Sequence, residues 1–91
     1  ADGSMPADPQ TQFHCAFDKL DAVLKAADLT FADVVEMTSY HIHIKSHFDL
    51  FAQVRSQFVH DPYPAWTAVG VAGLRRDSAL VEISATARRK S

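Results

Sequence analysis

The chain has 91 residues, a formal net charge of −2 at pH 7, a hydrophobic fraction of 47%, one cysteine and one tryptophan. This size predicts a single domain over residues 1–91, small enough that partner subunits are expected to help stabilise it. The composition excludes a disordered chain, the lone cysteine excludes an internal disulfide, the acidic balance argues against a nucleic-acid partner, and no apolar run resembles a membrane span or a signal peptide. A cytoplasmic protein is expected.

Residues 1–7 open the Gly-, Ser- and Pro-containing stretch "ADGSMPADPQ" and read as loop or linker. Asp8 and Pro9 then have the residue types of an N-cap and first helical position. Phe13, Ala16, Phe17, Leu20, Val23, Leu24 and Ala27 recur at three- and four-residue steps and predict one buried helical stripe. After "DLTFAD", the β-branched and aromatic run "VVEMTSYHIHI" predicts a strand over 34–44. Alternation puts Val35 and Met37 on one face and Val34, Tyr40, Ile42 and Ile44 on the other, so a strand covered on both sides is expected.

Ser46 and Asp49 have the spacing of a capping box and predict a second helix with a buried stripe of Leu50, Phe51, Val54 and Phe58, ending before Pro62. "AWTAVGV" and "ALVEISATA", separated by the turn-like "AGLRRDS", predict a terminal hairpin. The expected order is helix, strand, helix, strand, strand.

Several groups deserve a chemical reading. His41 and His43 would share a strand face and, with His47, have the residue type for a metal. No cysteine or carboxylate stands at a diagnostic spacing, so no metal or cofactor is expected, and the histidines are read as packed in a subunit interface or half-solvated. Cys15 and His14 point about 100° apart on a helix and form no nucleophile and base; Cys15 is read as a surface thiol. Arg75, Arg76 and the "RRKS" tail lack aromatic interleaving and read as a solvated face rather than an RNA site. In "DPYPAWTAVGV", Trp66 either plugs the core or lines a pocket, because its strand face carries only Ala68 and Gly70 beside it. Glu82, the acid inside the last strand, needs either a partner or a chemical role.

Five pieces in order resemble the Rid family, also called YjgF or L-PSP. They are the helix and strand in "QFHCAFDKLDAVLKAADLTFADVVEMTSYHI", the "DF"-type helix start in "HFDLF", the strand "YPAWTAVGVAGL" and the closing "VEISATA". The resemblance implies an α+β fold, a chorismate-mutase-like mixed β-sheet with two helices on one face, assembling as a homotrimer with ligand pockets in clefts between subunits. It implies imine or enamine deaminase chemistry in many members. Nothing before residue 8 supplies the family's N-terminal β-hairpin, so an N-terminally incomplete domain is expected.

Glu82 falls on the family glutamate associated with positioning the attacking water. Trp66 stands where deaminating members carry the arginine that holds a substrate carboxylate, and Asp28 and Lys19 replace the glycine ending the first helix and a helix asparagine. The implied function is a small-metabolite binder of an arginine-lacking subgroup, with Glu82 as polar contact and Trp66, Tyr63, Ala65, Thr67 and Ala68 on the ligand. The rivals are a 2-imino acid deaminase releasing ammonia, in which Lys45, Arg75 or Arg76 of a neighbouring subunit replaces the clamp, and a ribonuclease or translation-inhibitor-like activity.

Overall fold

The computed structural model describes residues 8–89; the N-terminal loop or linker read over 1–7 lies outside them. The elements are α1 (Pro9–Ala26), a 3-10 turn (Phe31–Asp33), β1 (Val34–His41), α2 (Ile44–Arg55), β2 (Ala65–Gly70) and β3 (Val81–Ala87). The order is the expected one, and the fold is a mixed α+β sheet with the two helices packed on one face.

α1 begins as the sequence dictates. The Asp8 carboxylate accepts the Thr11 backbone N–H and hydroxyl, both at 2.9 Å, and Pro9 occupies the first turn, where a missing N–H costs nothing. These bonds to the ionised form hold the Asp8 carboxyl below its ordinary pKa. Phe13, Phe17 and Leu24 are buried, but Val23 is 66% exposed and Ala27 serves as an exposed C-cap. The apolar stripe is therefore narrower than its periodicity suggests, because Val23 lines a groove beside β3 instead of reaching the core.

The predicted terminal hairpin does not form. β1 lies between the other strands in the order β2-β1-β3, parallel to β2 and antiparallel to β3. A register shift between Val34 and Glu36 also corrects the predicted faces of β1. The extra residue lets Val34 join Met37, Ser39 and His41 among the buried positions, while Val35 and Tyr40 are exposed. Among the described residues only the helix side of the strand is covered. The open face carries Glu36, Thr38 and Tyr40 of β1, with Glu82 and Ser84 of β3 paired beside them.

β1 ends at His41, three residues earlier than expected, and α2 opens at Ile44 without the Ser46/Asp49 capping box. The reason is tertiary. A Cβ placed on Gly70 would lie 2.9 Å from Ile44 Cγ2, so the glycine lets the first side chain of α2 sit directly on β2. His43 turns the chain with a left-handed backbone, φ 55°. The core then forms between sheet and helices around Phe13, Phe17, Phe51, Met37 and Val54, with Phe17 stacked on Phe58 at 5.1 Å and set against Phe51 at 5.3 Å.

Candidate functional site

Trp66 sits on β2 opposite Met37, so its indole points to the helix side of the sheet. There it lies parallel to Phe48 (5.5 Å between centroids, 7° between planes) and near Phe51 (6.0 Å). Its N–H donates to Ser39 Oγ at 2.8 Å, and Ser39 Oγ is 2.7 Å from His41 Nε2. Ser39 and His41 are fully buried, and His41 stands edge-on to Phe51 at 4.6 Å. Trp66 is thus tied into the core by its N–H while remaining half-buried at the sheet edge.

The expectation that the histidines lie in an interface or half in solvent fails for His41, which is buried inside its own chain. Desolvation lowers its pKa, favouring the neutral ring, and its Nδ1 has no hydrogen-bond partner among the described residues. His43 is the exposed N-cap of α2, and half-buried His47 packs on Phe13 at 6.2 Å. The i, i+2 strand geometry does not arise because the strand stops at His41. Among the described residues, no group of three or more His, Cys, Asp or Glu side chains is arranged to hold a metal ion.

The rest of the β2 stretch is open: Tyr63 is 63% exposed, Ala65 and Thr67 are exposed, and Ala68 is half-buried opposite Ser39. The group that sequence reasoning missed is Arg55, the last residue of α2. Its guanidinium carbon lies 4.2 Å from the Trp66 ring centroid and 5.8 Å from that of Tyr63. Burial lowers the Arg55 pKa and the nearby Tyr63 phenol opposes that shift, while the Nε is buried without a hydrogen-bond partner among the described residues. The available signal was helical period: Arg55 follows Phe48 and Phe51 by seven and four residues, on their face of the helix.

Glu82 lies across the sheet. On β3, the opposite edge from Trp66, it pairs with Tyr40 of β1 and points to the opposite face. It is exposed, and its Oε1 accepts the Arg75 backbone N–H at 2.9 Å, one of the partners such a strand carboxylate needs. A groove of ≈520 Å³ runs between this edge and α1, lined by Glu82, Arg75, Arg76, Lys19, Val23 and half-buried Cys15 among others. Lys45 lines a separate groove at the start of α2. The chain by itself therefore does not bring Trp66 and Glu82 together. No helix of the described residues is long and apolar enough to cross a membrane.

Comparison with known proteins agrees with this architecture. The profile of the family described as Endoribonuclease L-PSP matches residues 1–89. The RutC family protein YjgH of Escherichia coli K12 is 43% identical over 74 residues, covering 80% of this chain and 56% of that protein. The chain thus spans little more than half of that relative's length. TdcF of the same organism, named as a candidate reactive-intermediate deaminase, is 33% identical over 98% of this chain and 70% of its own. Among solved structures, YjgH superposes with a TM-score of 0.88 at 40% identity (96% of this chain, 66% of that one). E. coli TdcF with bound serine gives 0.88 at 32% identity (98% and 71%). With this profile match, these identities and a shared chorismate-mutase-like fold, the chain belongs to the Endoribonuclease L-PSP family, also known as YjgF or Rid.

Proposed function

We propose that this protein binds a small metabolite in clefts between the subunits of a homotrimer. Trp66, Tyr63, Ala65, Thr67 and Ala68 of one subunit face Glu82 of another. The observation that carries the reading is the separation of Trp66 and Glu82 onto opposite edges and faces of one sheet. A metabolite-sized ligand touches both only if a second copy supplies one of them. The face of the sheet that no helix covers among the described residues fits such an assembly, and the similar TdcF was solved with a small molecule, serine, bound. Light scattering on the natural full-length protein is expected to report three subunits, and calorimetry to show small-molecule binding that is lost on dissociation. A monomer at micromolar concentration, or binding that survives dissociation, overturns the reading.

A second reading, an imine or enamine deaminase that releases ammonia, draws on the name of TdcF and on Glu82. The Arg75 amide engages one carboxylate oxygen, leaving acceptor capacity that could orient a water toward an imine carbon. Ammonia release from 2-iminobutanoate generated from threonine tests it, with loss in Glu82→Gln expected. The ribonuclease reading has only the family description behind it.

A further inference from the structure

We propose that the groove at the start of α2 binds a small tetrahedral oxyanion, inorganic phosphate or the phosphate group of a small monoester. The first backbone N–H groups of the helix, Lys45, Ser46 and the Nδ1–H of buried His41 hold it. This site uses none of the residues assigned to the cleft and goes beyond that reading.

α2 connects the parallel strands β1 and β2, so its first turn meets the C-terminal ends of both, His41 and Gly70. The groove there, ≈470 Å³, has the polar side chains of His41, His43, Lys45 and Ser46 in its lining and no Asp or Glu. α2 has 12 residues, no side chain caps its N-terminus, and no acid stands in its first turn. Ser46 and His47 donate their N–H groups to the His43 carbonyl at 3.0 and 3.2 Å. The N–H groups of Ile44 and Lys45, the first two of the helix, have no acceptor among the described residues. The described ion pairs are Lys25 with Asp21 and Arg89 with Asp28, and neither engages the exposed Lys45. Free amides at the positive end of a helix dipole, beside a lysine, favour an anion.

A second feature, independent of the helix end, comes from the sheet. Ser39 is fully buried and its Oγ already accepts the Trp66 N–H, so its own proton needs an acceptor; His41 Nε2, at 2.7 Å, is the one described. Nε2 therefore accepts, and the neutral ring that burial favours carries its proton on Nδ1. The two ring nitrogens point in diverging directions. With Nε2 turned back along β1 to Ser39, Nδ1 is turned toward the end of the strand, where His41 helps to line the groove. His41 is 0% exposed, and its Nδ1 has no hydrogen-bond partner among the described residues. A buried donor without an acceptor is unfavourable, and an oxyanion seated on the α2 amides supplies one, directly or through an ordered water. Donors arriving from the helix, from two side chains and from the strand suit the several oxygens of a phosphate, each a charged acceptor.

A purely structural reading, with the helix end solvated and Nδ1 bonded to internal water, predicts no selective anion binding. The test is calorimetry of the natural full-length protein with inorganic phosphate at constant ionic strength in chloride. One phosphate per subunit is expected, with binding weakened about tenfold in Lys45→Ala and in His41→Phe. Glycerol 3-phosphate distinguishes the source: tighter binding than inorganic phosphate assigns the site to a phosphorylated metabolite, and equal or weaker binding assigns it to the free anion. No binding of either overturns the proposal, and so does binding left unchanged by Lys45→Ala. Because His41→Phe alters the core, the imidazole nitrogen spectrum of the parent supplies a separate check. The His41 proton is expected on Nδ1, with its resonance shifting as phosphate saturates. A proton on Nε2, or a His41 signal that phosphate leaves unmoved, removes His41 from the site and overturns the assignment.

Discussion

The two edges of the sheet each hold a charged side chain beside a strand, and they treat it in opposite ways. At the β3 edge the polar groups are answered from within the chain. Glu82 takes the Arg75 amide, and buried Gln12 reaches across from α1 to donate to the Ser78 carbonyl at 2.8 Å and accept the Leu80 N–H at 2.9 Å. At the β2 edge, Arg55 stacks on an indole without a carboxylate among the described residues, and the Trp66–Ser39–His41 chain ends on a buried Nδ1 with no partner. Buried polar groups are ordinarily satisfied, so the open capacity at the β2 edge points to a ligand there, while at the β3 edge the Gln12 bonds serve stability and Glu82, exposed and engaged at one oxygen only, keeps an acceptor free.

Removing the indole should break this contrast most strongly. Trp66→Ala strips the surface under Arg55 and Phe48 and removes the donor to Ser39; a loss of about 3 kcal/mol in urea unfolding is expected. A loss below about 1 kcal/mol would show that the β2 edge is not tied to the core as described. At the other edge, Gln12→Ala leaves the Ser78 carbonyl and the Leu80 N–H without that partner, and about 2 kcal/mol of destabilisation should follow with no change in ligand binding. A binding defect in this variant would erase the functional distinction between the edges.

Acid should act on the β2 side through His41. Its folded-state pKa lies below the ordinary histidine value of 6.5, so the folded protein takes up fewer protons there than the unfolded chain. The stability this supplies is complete above the unfolded value and is lost as pH falls from there through the lowered folded value. Urea midpoints measured downward from pH 7 should fall more steeply in the parent than in a His41→Phe variant, and parallel curves would refute the assignment. The smallest effect is expected from Glu82→Gln, an exposed change that keeps an acceptor for Arg75. It should shift stability by less than about 0.5 kcal/mol, so that any loss of turnover it causes is chemical rather than structural.

Much of the fold was legible in the chain itself. Asp8 and Pro9 marked the start of α1, the spacing of Phe13, Phe17 and Leu24 identified its buried side, and Phe51 and Val54 did the same for α2. Of the candidate site, the strand alternation that placed Trp66, Ala68 and Gly70 on one face holds, since they pair with Met37, Ser39 and His41. Ile44 takes the place over Gly70, while Ala68, half-buried, is paired with Ser39 in the sheet. Arg55 escaped notice because a charged residue at a helix end reads as a solvated terminus unless the ring it covers is known.

What the sequence determined by itself was local: caps, helical and strand periods, and a composition fit for one small core, all encoded within a few residues by backbone preference and hydrophobic spacing. The tertiary structure alone decided the rest. It set β1 between β2 and β3, turned Val34 inward at a bulge, opened α2 at Ile44 over Gly70, and laid Arg55 on Trp66. Each of those outcomes is fixed by contacts between residues far apart in the chain, whose pairing follows from packing the whole sheet against both helices and from no local pattern.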